Sequence, residues 1–232
     1  MSTILECRAL KKRYGTKEAL CGVDLTLETG RIVGLLGPNG SGKTTLIKLA
    51  CGLLTPSGGE IRIDGKKPSP ETNAVVSYLP ERIALPLWMT AQQAMDFYGN
   101  FYADFRRDAA EDMVERLRLE RTQTIRAMSK GTREKLQLIL TMARAAKLYL
   151  LDEPLGGVDP ASRDYILRTI LTGYREDATV LFSTHLIADV EAVLDEAVFL
   201  REGGVLLHER VDAIREERGK SVDQLFRELF AY

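Results

Sequence analysis

Apolar residues change their period along this chain, and the changes mark its elements. Val23, Leu25 and Leu27 alternate with Asp24, Thr26 and Glu28, the period of a strand with one buried face. Ile61 and Ile63 alternate with Arg62 and Asp64, and Asp64-Gly65 supplies a turn. These early strands read as antiparallel and are expected beside the strand at residues 31–36. That run (RIVGLL) and residues 74–78 (AVVSY) are nearly all apolar, as strands buried on both faces are. Pro80 ends the second. Residues 45–51 (TLIKLAC) read as a helix stopped by Gly52.

From 81 to 144 charges become dense and helical spacing takes over. Met113, Leu117 and Leu119 fall on or near one face among Glu111, Asp112, Glu115, Arg116 and Arg118. This predicts a helical subdomain inserted into an α/β core. Short apolar strands return at 147–151 (KLYLL) and 179–182 (TVLF). A helix over 163–174 lies between them, started by Asp159-Pro160 and stopped near Gly173. Runs 198–200 and 205–207 flank Glu202-Gly203-Gly204 as a hairpin. The end of the chain, 211–232, reads as a helical tail carrying Leu225, Phe226, Leu229 and Phe230. The expected organisation is therefore a core over 1–80 and 145–210 that includes an antiparallel β subdomain, a helical subdomain over 81–144, and the tail.

Composition narrows the possible roles. A chain of 232 residues suffices for one large α/β domain or a core with an insertion. A net charge of −1 creates no field for nucleic acid or an anionic membrane. Cys7, Cys21 and Cys51 are widely spaced with no C-x-x-C, which argues against a disulfide framework or zinc site and suits a reducing cytosol. Ile4-Leu5 is followed at once by Glu6 and Arg8, so no signal-peptide core is expected. No apolar run approaches the roughly 18 residues that span a bilayer. Any membrane role is expected to come through a partner.

The chemistry concentrates in two segments. Gly37-Pro38-Asn39-Gly40-Ser41-Gly42-Lys43-Thr44-Thr45 fits G-x-x-x-x-G-K-[ST] and stands between the 31–36 strand and the 45–51 helix, the context this phosphate-binding loop requires. Its glycines let backbone N–H groups turn inward on phosphate oxygens, and the helix start adds free N–H groups. Lys43 supplies a point charge for the β- and γ-phosphates, and the Thr44 hydroxyl can bind Mg²⁺. Downstream, Leu148-Tyr149-Leu150-Leu151-Asp152-Glu153-Pro154 brings a strand to the sheet edge where open α/β sheets bind ligands. Asp152 there can hold Mg²⁺, and Glu153 can orient or deprotonate a water attacking the γ-phosphate.

Together these motifs resemble the nucleotide-binding subunit of an ATP-binding cassette (ABC) protein, over nearly the whole chain. The resemblance implies a P-loop NTPase core with a RecA-like parallel sheet, an N-terminal antiparallel β subdomain and an inserted helical subdomain. Tyr14, in Lys12-Arg13-Tyr14-Gly15, matches the residue that stacks on adenine. Asp159, in Gly157-Val158-Asp159, resembles the D-loop, and it can equally cap a helix. His185, in Phe182-Ser183-Thr184-His185, resembles the switch histidine at the γ-phosphate. The usual signature L-S-G-G-Q reads Met128-Ser129-Lys130-Gly131-Thr132 here, keeping Ser129 and Gly131 but placing Lys130 at a glycine position. A simple helix cap is the other reading of Ser129. Where the family places glutamine after the 74–78 strand, this chain has Glu81, which can ligate Mg²⁺ but cannot donate an amide hydrogen bond. The Ser-Lys-Gly form resembles single-cassette bacterial subunits of the ABC-2 exporter type.

The resemblance further implies an ATPase using ATP and Mg²⁺ and working as a dimer with a second copy or a related cassette. A separate multi-span membrane subunit is implied, with this chain cytoplasmic and peripheral on the inner face of the membrane, and no nucleic acid is expected. Residues 82–105, with Leu85, Leu87, Trp88, Phe97, Tyr98, Phe101 and Tyr102, either dock that subunit or pack internally. The alternative is a soluble ABC ATPase acting in translation or DNA repair. The first kind carries two cassettes per chain. The second carries a long coiled coil, for which the span from Lys43 to Ser129 is too short. A small-molecule kinase would not need Ser129, Gly131 and His185 at these places.

Overall fold

The computed structural model describes residues 2–156, 158, 160–175 and 177–231. Strands β1 (Thr3–Tyr14), β2 (Lys17–Glu28) and β4 (Gly58–Ile63) form an antiparallel sheet in the order β2-β1-β4. Alternation is visible in β2, where Leu20, Val23, Leu25 and Leu27 are buried. Ile63 pairs with Lys66 across the Asp64-Gly65 turn. The expectation that these strands lie beside residues 31–36 is corrected. Strand β3 (Ile32–Leu36) has parallel partners on both edges and belongs to another sheet. A strand set with one polar face suits an outer layer instead, and this one covers helix α1 (Lys43–Ala50).

The second sheet runs β5-β6-β7-β3-β8-β9. It comprises β5 (Val76–Leu79), β6 (Leu148–Asp152), β7 (Thr179–Thr184), β3, β8 (Glu196–Arg201) and β9 (Gly204–Arg210). All pairs are parallel except the β8–β9 hairpin. Period two sorts its side chains between two cores. Leu148, Leu150, Leu181 and Val198 face α1 and the antiparallel sheet. Tyr149, Leu151, Phe182 and Phe199 face the opposite helices. Continuous apolar runs were needed because both faces are covered.

Short helix α2 (Pro70–Asn73) precedes β5. Helices α3 (Ala91–Phe101), α4 (Arg107–Arg116) and α5 (Lys130–Met142) share a cluster of their own, with Met95, Ala110, Val114, Leu136 and Ile139 inside. The face expected from Met113, Leu117 and Leu119 is only partly right. Helix α4 ends at Arg116, its buried residues are Ala110 and Val114, and Met113 and Leu117 sit at the cluster's border. Helices α6 (Pro160–Gly173) and α7 (Ile187–Val190) cover the second core face. Residues 211–231 hold α8 (Val211–Arg218) and α9 (Val222–Leu229), which bury Ile214 and Leu225 in that same core. Among the described residues no helix is long and apolar enough to cross a membrane.

Because β3, β5, β6 and β7 are parallel, their C-terminal ends meet at one sheet edge. Asp152 ends β6, and Gly37, Glu81, Glu153 and His185 follow the strand ends there.

Candidate nucleotide site

The phosphate-binding loop curls where its backbone demands glycine. A Cβ at Gly37 would meet the Leu200 carbonyl oxygen at 2.3 Å, and Gly42, the N-cap of α1, takes φ 112°. The Gly203 N–H donates to the Ser41 carbonyl (3.0 Å) while the Gly203 carbonyl accepts from Cys21 N (2.9 Å). The β8–β9 turn, legible only as a hairpin tip, thus ties the loop to the antiparallel sheet. Lys43 is buried, and its Nζ donates to the carbonyls of Gly37 (2.7 Å) and Pro38 (3.2 Å). Burial pushes its pKa down, and the Glu153 carboxylate opposes that shift.

Asp152 is buried at the end of β6. Its Oδ1 accepts from Thr44 Oγ1 (3.0 Å) and Ser183 Oγ (2.7 Å). Its Oδ2 is buried with no partner. Burial raises the Asp152 pKa, the Ser183 and Thr44 hydrogen bonds pull it back, and the Glu81 charge adds to the rise. An orphaned carboxylate oxygen beside a threonine hydroxyl is a hard, all-oxygen donor set, which fits Mg²⁺.

Glu153 takes φ 51°, an unusual conformation for a residue with a side chain. Its N–H is held by the Ser183 carbonyl (3.2 Å) and Ser183 Oγ (3.0 Å). The turn aims its carboxylate back over the loop. Oε1 lies 3.6 Å from Lys43 Nζ, and Oε2 lies 3.0 Å from His185 Nδ1. A cleft of about 460 Å³ opens in front of them, lined also by Asn39, Glu81, Lys130 and Glu134. The structure therefore brings together the loop, Thr44, Asp152, Glu153, His185 and Glu81. Ser183 went unread in the sequence. The available signal was a hydroxyl ending an otherwise apolar strand, opposite Asp152 in register.

Ser129 is the N-cap of α5, its Oγ accepting from Thr132 N (3.1 Å). Lys130 opens the helix with no positive φ, so the lysine is compatible with the backbone there. Its Nζ lies 3.7 Å from Glu134 Oε1. Tyr14 ends β1 with its ring exposed and Lys12 Nζ 5.3 Å from the ring centre. Asp159 lies outside the described residues.

A family model described as ABC transporter matches residues 20–156. This chain belongs to that family. ABC cassettes hydrolyse ATP to power transport. The ABC transporter ATP-binding protein NatA of Bacillus subtilis is 30% identical over 237 residues, 97% of this chain and 96% of NatA. The daunorubicin resistance ATP-binding protein DrrA3 of Streptomyces coeruleorubidus is 31% identical over 97% of this chain and 74% of its own length. The structure of an ATP-binding subunit of an ABC transporter matches with TM-score 0.87 and 30% identity, covering 98% of this cassette and 99% of that chain. NatA and the solved ATP-binding subunit are named as parts of ABC transporters, and none of the three is named for translation or DNA repair.

Proposed function

We propose that this ABC cassette hydrolyses Mg-ATP in a site that a second cassette completes, and that it drives a separate membrane subunit of an exporter. The observation that carries the reading is the Glu153 carboxylate held between Lys43 Nζ and His185 Nδ1. The loop 37–45 cradles the phosphates, with Tyr14 offered to the adenine. Thr44 and Asp152, with Glu81 nearby, would hold Mg²⁺, which neutralises charge on the β- and γ-phosphates when bound. Glu153 accepts a proton from water as the water oxygen bonds to the γ-phosphorus and the bond to the β–γ bridging oxygen breaks. ADP and phosphate leave. Lys43 and His185 hold the γ-phosphoryl oxygens.

A Cβ at Gly131 would meet nothing within 4 Å in this chain. The exposed helix start at Ser129–Gly131 is thus open to a nucleotide on another copy, with Asp159 assigned to the same contact. Trp88, Phe97 and Phe101 are exposed at 67%, 49% and 68%. Aromatic exposure on this scale favours docking over internal packing for the membrane partner, which would hold the cassette at the membrane's inner face. Resistance functions in the names of relatives such as DrrA3 favour export.

Glu153→Gln tests the reading. The variant is expected to bind ATP as the unmodified chain does and to lose turnover by roughly 100-fold or more. Unaltered steady-state hydrolysis would remove Glu153 from its role.

A further inference from the structure

Three polar groups stand along one face of α5 and just past its end. Gln137, Thr141 and Arg144 are all buried, at 4%, 1% and 3% exposure. Their spacing of four and three residues stacks them on one side of the helix. Gln137 and Arg144 reach the segment from Ala74 to Ala84 through their side chains; Thr141 meets it through its backbone carbonyl, while its hydroxyl donates to the Gln137 carbonyl (2.8 Å). Gln137 Oε1 accepts from Ala84 N (2.7 Å), and its Nε2 donates to the Pro80 carbonyl (3.1 Å). Ser77 Oγ donates to the Thr141 carbonyl (2.8 Å). The Arg144 guanidinium donates to the carbonyls of Ala74 (2.7 Å) and Val76 (2.5 Å).

The two bonds of Gln137 bracket Glu81, the carboxylate that replaces the family's usual glutamine. Glu81 lines the cleft with Asn39, Glu153 and His185. Both hydrogen bonds made by the Gln137 side chain go to this loop. A buried amide is retained at a cost unless both its donor and its acceptor are used, and here both are used on one loop.

We propose that Gln137 is a positioning residue for ATP hydrolysis: it clamps residues 80–84 to the helix that begins at Ser129 and so sets Glu81 against the site of Lys43 and Asp152. The inference rests on the functional reading above. Because the same helix presents Ser129 and Gly131 outward, its displacement by an approaching cassette carries Glu81 with it. The polar seam through Thr141 and Arg144 keeps β5 and α5 in step.

A double-mutant cycle on the purified chain tests this. Steady-state ATPase with Mg-ATP is measured for Gln137→Leu, Glu81→Ala and the double variant, with ATP affinity taken from nucleotide titration. Each single change is expected to lower kcat by roughly 10-fold or more while ATP affinity holds. The double variant is expected to be no slower than Glu81→Ala alone, because Gln137 acts only through Glu81. Gln137→Glu, which keeps the acceptor for Ala84 N but loses the donor to Pro80, is expected to fall between, and it replaces Gln137→Leu in the cycle should the latter not fold. Losses that multiply in the double variant overturn the proposal, as does unchanged kcat in the Gln137 variants or in Glu81→Ala. Retained turnover in Glu153→Gln is a separate failure, that of the functional reading itself.

Discussion

At the scale of single residues, Ser183 joins the two carboxylate residues of the site. Its hydroxyl donates to Asp152 Oδ1 and accepts from Glu153 N, so one side chain sets both carboxylates. Ser183→Ala is expected to lower kcat roughly 10- to 100-fold and to raise the Mg²⁺ concentration needed for half-maximal rate. An unshifted Mg²⁺ titration with normal kcat would exclude that role. The thiols of Cys7 and Cys51 report on a different property. Burial pushes each pKa up to about 12, with Asp24 and Glu6 adding to the rise at Cys7 and Asp152 at Cys51. Unfolded thiols ionise near 9, so their contribution to stability is complete below pH 9 and falls as pH climbs toward 12. Each is expected to lose about 1–2 kcal/mol by pH 10. Urea unfolding between pH 8 and 10 should show the decline, and the double variant Cys7→Val, Cys51→Val should make it shallower, the buried phenols of Tyr78, Tyr98 and Tyr149 accounting for part of the remainder. A flat profile in the unmodified chain would contradict the assignment.

At the scale of elements, Arg144 is the most heavily bonded charged group at the joint between helical cluster and sheet. Arg144 pairs with both oxygens of Asp104 (2.9 and 3.1 Å), stacks 3.9 Å from the Tyr102 ring centre, and reaches the β5 backbone. The Tyr149 hydroxyl donates to its carbonyl. Arg144→Leu strands the Asp104 charge and the carbonyls of Ala74 and Val76, with an expected cost of about 3–5 kcal/mol in urea unfolding. A loss under about 1 kcal/mol, the value of a surface pair, would show the joint to be held by apolar packing. None of this was read from the sequence, although Arg144 stands alone in an otherwise uncharged run between Lys135 and Lys147. By contrast β3, β6 and β7 were legible, because strands covered on both faces must be apolar throughout. The apolar side expected from Met113, Leu117 and Leu119 does face the helical cluster, but α4 stops at Arg116, so Leu117 and Leu119 join it from beyond the helix.

At the scale of the molecule, the start of α5 leaves Gly131 facing open space while Ser129 caps the helix and Lys130 lines the cleft. Gly131→Leu is expected to leave the melting temperature unchanged or slightly raised, since leucine favours helix over glycine by up to about 1 kcal/mol and a Cβ there meets nothing within 4 Å. In the Glu153→Gln background it should nonetheless abolish ATP-dependent dimers in size-exclusion chromatography with light scattering. Dimers forming at the same protein concentration would refute the shared site. The nucleotide loop, the strand ending in Asp152-Glu153 and the order of motifs were determined by sequence alone, because local backbone geometry and phosphate chemistry admit few residue types at fixed spacing. Tertiary structure alone decided which strands share a sheet, that Ser183 and Gly203 brace the site, and that Gln137 brackets Glu81. Those contacts join residues distant in sequence, and their positions follow from how apolar faces are buried together rather than from any local pattern.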